Sequence, residues 1–172
     1  MTKVLKNIAN KRYKGDNKSR FQLEGAFLMQ KNIEQIEKIV NGIETTGSGY
    51  DLLRYVALPD LLGKDAPLIL YVMGKNLARA QSLQSIDQIG EFFNKVGWGA
   101  LELIKEKRAE HIFKLQTRVI SERHRLGIET DYRLEAGFLA AAMEQILSFQ
   151  CECFEEEKPR KNFVELRVQH YR

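Results

Sequence analysis

Apolar residues recur at steps of three and four over much of this chain and at steps of two elsewhere, and that change of period predicts its elements. Residues 28–43 place Met29, Ile33, Ile36, Val40 and Ile43 on one helical face. The run "ETTGSGY", with Gly47 and Gly49 around Ser48, breaks the pattern and marks an internal boundary. From Tyr50, "YDLLRYVALPDLL" reads as an apolar helix. Pro59 should end or kink it near Leu58, because proline lacks a backbone donor. Asp65 is placed to cap the next helix, with Pro67 in its first turn. Ile69, Val72, Met73, Leu77 and Ala80 are its expected buried stripe. Ser85 and Gln88 make a capping box for a third helix with the stripe Ile86, Ile89, Phe93 and Val96, stopped at Gly97.

After Gly99 the period shortens. "ALELIKEKRAEHIFKLQTRVI" reads as two strands, with Leu101 and Leu103 on one face, then Phe113 and Leu115, around a polar turn at 105–110. Residues 130–148 return to helical spacing with Leu134, Phe138, Ala142 (or Leu139) and Ile146. Ala136, Gly137, Ala140, Ala141 and Ala142 are small, so a neighbour can pack very close to this helix. "FQCECF" and "NFVELRVQHY" alternate again, Val164, Leu166 and Val168 facing one way, with "EEEKPRK" as a polar turn. The expected fold is α+β: an antiparallel four-stranded sheet, two hairpins separated by a long helix, covered on one face by helices. It divides into residues 1–46, a basic segment with one helix, and residues 50–172, an α+β domain of ligand-binding type.

Composition narrows the classes. A chain of 172 residues can bury one core, and 44% hydrophobic with 29% charged residues is ordinary for a globular protein. No apolar run reaches the ~18–20 residues that span a bilayer, and the basic N-terminus lacks a signal peptide's apolar core. A cytoplasmic protein with no membrane span is expected. Residues 1–20 carry seven Lys and Arg against Asp16, which puts +6 there on a chain of net charge +4. Such an arm can hold a polyanion. It lacks interleaved aromatics beyond Tyr13 and Phe21, so a solvated surface is the simpler reading and nucleic acid is not the expected partner.

Candidate chemistry is sparse. Cys151 and Cys153 share a strand face, and His170, two past Val168, shares the facing one, so these three are the only metal candidates. Structural zinc wants a second cysteine pair, which the chain lacks, so packing against the core is expected, with no cofactor. Glu102, Glu106 and Glu110 fall near a turn, and Glu135 and Glu144 fall opposite an apolar stripe, where solvation is expected. No glycine loop has the spacing of a phosphate cradle, and no nucleophile signature occurs. Trp98, between two glycines, reads as a core anchor at a helix-to-strand junction, or as the cap of a pocket.

The chain also nearly repeats itself. At a shift of 111 residues Arg12 meets Arg123, Tyr13 meets His124 and Phe21 meets Tyr132. Leu23, Glu24, Phe27 and Leu28 then meet Leu134, Glu135, Phe138 and Leu139 without a gap. "YDLLRYVALPDLLGKDAPLILYVMGKNLAR", "FFNKVGWGALELIKEKR" and "YRLEAGFLAAAMEQIL" resemble the YslB-like family, bacterial proteins of unknown function. That family is similar in turn to the 4-vinyl reductase domain superfamily. The resemblance spans about residues 50–168 and implies a ligand-binding fold shared with haem nitric-oxide-associated domains and TRAPP subunits, whose members commonly dimerise and in some cases hold apolar ligands. Members of the 4-vinyl reductase group often carry spaced cysteines around a glycine in the last hairpin, which Cys-Glu-Cys does not match. By the same resemblance "RFQLEGAFL" is a second "LEAGF" helix, and residues 1–46 a remnant of a preceding copy.

Together these readings point to a non-enzymatic domain that binds an apolar small molecule between helices and sheet, or alternatively a protein-interaction or dimeric scaffold domain without a ligand. A homodimer is expected. The helix faces offer Tyr55, Tyr71, Met73, Trp98 and Phe138 as pocket residues.

Overall fold

The computed structural model describes residues 48–171. The expected helix over 28–43, the basic arm and the proposed remnant at 1–46 lie outside the described residues. The described part begins with one helical run in three pieces: α1 (Ser48–Leu52), a π-helical stretch (Leu53–Ala57) and α2 (Leu58–Leu62). Pro59 neither ends nor sharply breaks it. The N–H of Leu58 bonds to the Leu53 carbonyl, five residues back. Widening the register just before the proline accommodates its missing donor. The run stops at Gly63, whose φ of 60° and ψ of −144° suit only glycine.

Helix α3 (Ala66–Arg79) follows a 3-10 turn over Gly63–Asp65. That turn leaves Asp65 in a helical conformation rather than the extended one a cap requires, and its side chain makes no capping bond. The buried face of α3 also differs from the expected stripe. Ala66, Leu70, Tyr71, Gly74 and Ala78 face in, whereas Val72, Met73 and Leu77 are 46%, 44% and 45% exposed. The helix is apolar on both sides, so spacing did not distinguish them; contact with a close neighbour selects the smaller residues. Helix α4 (Ile86–Lys95) starts as expected, Ser85 Oγ accepting from the N–H of Gln88 at 3.2 Å. Gln88 accepts in turn from the N–H of Gln84 rather than of Ser85.

Strands β1 (Ala100–Lys107) and β2 (Glu110–Gln116) form the first hairpin, with Leu101 opposite Leu115 and Leu103 opposite Phe113. Its turn is tighter than the 105–110 expected, only Arg108 and Ala109 lying between the strands. The second strand ends earlier than expected, because Arg118–Leu126 is a helix, α5, closed by Gly127 at φ 62°. Helix α6 (Arg133–Leu147) leads to β3 (Gln150–Lys158) and β4 (Phe163–Tyr171). The four strands form one antiparallel sheet in the order β1-β2-β4-β3. The fold is the α+β class expected. Phe113, Leu115, Val164, Leu166, Val168, Cys151 and Cys153 pack with α6, where every residue from Leu134 to Met143 is buried. At about 1.5–3 kcal/mol for each large apolar side chain taken from water, this layer supplies most of the driving force.

The small residues of α6 do what their size predicts. A Cβ on Gly137 would overlap the Tyr71 carbonyl, and one on Gly74 would overlap that of Leu134. Helices α3 and α6 therefore cross backbone to backbone, each through a glycine of the other.

Candidate functional site

Two polar clusters flank this crossing. The first lies beneath residues 48–62. Arg54 is 1% exposed. Its Nη2 donates to Asp131 Oδ1 at 2.7 Å and its Nη1 to Oδ2 at 3.2 Å. The same Nη2 stands 3.6 Å from Glu135 Oε2 on α6. Arg123 on α5 grips the buried Asp51 with two bonds, Nε to Oδ2 at 2.9 Å and Nη2 to Oδ1 at 2.6 Å. Both guanidinium groups lie against the Tyr55 ring, 5.3 and 4.9 Å from its centroid. Burial works against the charge on each arginine. The bond to Asp131 and the charge of Glu135 outweigh it for Arg54, and the bond to Asp51 does so for Arg123, so both are held more firmly protonated than usual.

Glu135 is a correction to the solvated face expected for it. It is 3% exposed, and its Oε2 has no hydrogen-bond partner. Burial pushes its carboxyl above the ordinary range, with Arg54 opposing. Glu144, expected in water as well, is half-buried and paired with Lys75 and Arg79. Tyr50 links the first cluster to the aromatic core. Burial and the charge of Glu135 raise its hydroxyl, while a hydrogen bond with Trp98 lowers it. Trp98 meets Phe92, Phe93 and Phe138 edge-on at 5.9, 5.0 and 5.4 Å.

The second cluster closes the free edge of β3. Tyr71 Oη accepts from the N–H of Cys153 at 2.9 Å and donates to Glu152 Oε2 at 2.5 Å. Glu144 Oε1 accepts from the N–H of Cys151 at 3.2 Å. Lys75 Nζ donates to Glu144, Glu152 and the Cys151 carbonyl at 3.3, 3.0 and 3.3 Å. Side chains of α3 and α6 thus occupy donors an edge strand would otherwise present to another chain. Burial opposes the charge of Glu152, but its bonds from Tyr71 and Lys75 prevail and lower its carboxyl.

Of the expected pocket residues, Trp98 and Phe138 come together. Tyr55 lies under the two arginines, Tyr71 reaches the β3 edge, and Met73 faces outward. A depression of about 410 Å3 lies on the strands β3 and β4, lined by Phe154, Glu156, Glu165 and Arg167, and uses none of the five. Cys151 pairs directly with His170 across the sheet and Cys153 with Val168. Burial pushes the Cys151 thiol up to about 11 and raises that of Cys153 well above the ordinary thiol range. Among the described residues no group of three or more His, Cys, Asp or Glu is arranged to hold a metal ion.

Sequence reasoning missed Arg54, Asp51, Arg123 and Glu135. A signal was present: Arg54 in "LLRYVAL" and Glu135 in "LEAGFLAAAM" are charges of opposite sign set inside apolar runs.

The described residues form an α+β domain of four antiparallel strands backed by helices, with Asp51, Arg54, Arg123 and Glu135 buried among the helices. A model of the family described as "protein of unknown function (DUF2507)" matches residues 47–169, and the chain belongs to that family. It is 36% identical over 126 residues to the uncharacterized protein YslB of Bacillus subtilis (strain 168), covering 73% of this chain and 85% of that protein. Its fold is shared with a vinyl-4-reductase family protein from Methanocaldococcus jannaschii. There the TM-score is 0.55 at 18% identity, over 95% of this chain and 100% of that one. The phenol-responsive sensory domain of the transcription activator PoxR, with phenol, matches at a TM-score of 0.53 and 14% identity, over 74% and 76%. No described helix is long and apolar enough to cross a membrane.

Proposed function

We propose that this domain is a non-enzymatic, cytoplasmic binding module that takes an apolar small molecule between its helices and sheet, beside Trp98 and Phe138. The observation that carries the reading is Glu135: a carboxylate 3% exposed, with an oxygen lacking a hydrogen-bond partner, next in sequence to Leu134, which packs with Trp98. An apolar site with one or two convergent polar groups is the ordinary form of a small-molecule pocket. The PoxR sensory domain, structured with phenol, supports it as a fold that serves ligand sensing. Thiols raised by burial make Cys151 and Cys153 poor nucleophiles, which favours binding over catalysis.

A second reading, a homodimeric or partner-binding scaffold, is favoured by one feature. Leu61 on α2 and Leu68 on α3 are 79% and 63% exposed, and Val72, Met73 and Leu77 on α3 are exposed as well, apolar side chains that a partner could cover. Native mass spectrometry of the full chain, purified without detergent, separates the two. A chain, single or paired, carrying extra mass that organic solvent removes is the expected result. A bare chain that also fails to enhance the fluorescence of an apolar dye overturns the ligand reading, and a bare dimer favours the scaffold.

A further inference from the structure

Residues 48–62 are attached to the domain differently from every other described helix. The main core draws residues from α3, α4, α5, α6 and the sheet but none from this run. Its fully buried members are Asp51, Arg54 and Tyr55, two charges and a phenol. Among the described residues, its aliphatic side chains join two small satellite clusters: Leu52 and Val56 beside Ile128, and Leu58 and Leu62 beside Ala66, Leu70 and Leu134. Leu53 is 54% exposed. The run is therefore held by ion pairs to three separate places, Arg123 on α5, Asp131 in the loop before α6, and Glu135 on α6. Its centre is π-helical at the residues that enter the clusters, and π-stretches are uncommon and frequent at functional sites. Its end is Gly63, in a backbone conformation that side chains avoid, with nothing within 4 Å of where a Cβ would sit. That is a place where φ and ψ can change without repacking a side chain.

We propose that residues 48–62 form a hinged strap, latched by the Asp51–Arg123 and Arg54–Asp131 pairs, which opens as a unit about Gly63 and uncovers Glu135 with the apolar shelf of Leu70, Leu134 and Trp98. This deepens the binding reading by assigning the cover of the site and the order of events. The latch opens, the ligand reaches the shelf, and the strap closes over it, bringing Arg54 back to Glu135. Ion pairs suit such a latch better than an apolar seam. Once open, both partners regain full hydration, and that solvation offsets much of what the pairing contributes when closed.

Hydrogen exchange followed by mass spectrometry on the full chain tests the strap without any ligand, so its outcome is independent of whether native mass spectrometry finds a bound molecule. In the wild type, amides of residues 52–62 should exchange through a partial opening, faster than those of residues 134–143 and with a shallower rise in denaturant, since less surface is exposed than in global unfolding. Asp51→Asn should accelerate the strap by about tenfold or more and leave residues 134–143 unchanged. Strap amides that exchange only together with 134–143 in the wild type would overturn the proposal. An Asp51→Asn effect spread evenly over the domain would do the same.

Discussion

The two polar clusters share helix α6, and each sets carboxylates against cations beside a tyrosine, yet one glutamate in each shifts in the opposite direction to the other. Glu152, at the edge of β3, receives bonds from Tyr71 and Lys75, and its carboxyl is lowered despite burial. Glu135, under the strap, has Arg54 at 3.6 Å and an oxygen without a bond, and its carboxyl is raised. Desolvation works against the charge of both, but unequally: Glu135 is 3% exposed, whereas the Glu152 side chain keeps 36% of its surface in water. They differ as well in whether donors reach the oxygens to replace the lost water. The edge cluster is complete, a brace that occupies exposed backbone donors. The strap cluster is incomplete, and an incomplete buried charge is where a protein retains capacity to bind or to move.

The largest expected effect breaks both clusters at once. Gly137→Ala places a methyl group on the Tyr71 carbonyl. The obstacle is backbone, so α3 and α6 must separate, carrying Tyr71 and Lys75 away from Glu144 and Glu152 and loosening Leu134 and Glu135 beneath the strap. A loss of at least about 3 kcal/mol is expected in urea unfolding, at the upper end for overpacking. A loss below about 1 kcal/mol would mean that the crossing is looser than the geometry requires.

The next contrast sets one cluster against the other. Arg54→Met leaves Asp131 and Glu135 without their cation and should cost about 2–3 kcal/mol. That is somewhat less than breaking a pair locked in a rigid interior, because strap opening lets both carboxylates reach water. Lys75→Met removes a cation whose partners Glu144 and Glu152 are half-open to solvent, 22% and 36% exposed, so a cost of about 1 kcal/mol or less is expected. Equal losses in urea titrations of the two variants would erase the distinction between latch and brace.

The sheet and the long helix were legible in the sequence because alternation and small-residue content report directly on burial. Leu101, Leu103, Phe113 and Leu115 pair as their spacing predicts. The alanines and glycine of α6 meet the close neighbour they imply. Helix α5 was not legible. "TRVISERHRLG" has one fully buried aliphatic residue, Ile120, and its other buried residue is Arg123, so a hydrophobicity pattern has little to follow. The face of α3 was misread for the converse reason: Val72, Met73 and Leu77 are as apolar as Leu70, and only the backbone contact through Gly74 selects the inner side. The strap cluster escaped because a charge in an apolar run is read as solvated unless its counter-charge is known to be adjacent. Arg54 and Glu135 are far apart in sequence and meet only through the tertiary fold.

The smallest effect carries the sharpest sign. Both glutamates have an ordinary carboxyl value of 4.5. Glu135 is raised in the folded state, so from about pH 4.5 upward the folded protein retains a proton that the unfolded chain has released. Its contribution to stability is full below that pH and is lost as pH rises through the folded value. Glu152 is lowered, so its contribution is present above about pH 4.5 and is lost as pH falls through its lower folded value. Thermal unfolding of Glu135→Gln and Glu152→Gln between about pH 3 and pH 7 should therefore diverge from the wild type in opposite senses. The wild type should lose ground to Glu135→Gln as pH rises, and gain ground on Glu152→Gln over the acidic part of the range. If both differences run the same way with pH, Glu135 is not held as an under-solvated carboxylate, and the contrast between an open-ended latch and a finished brace fails with it.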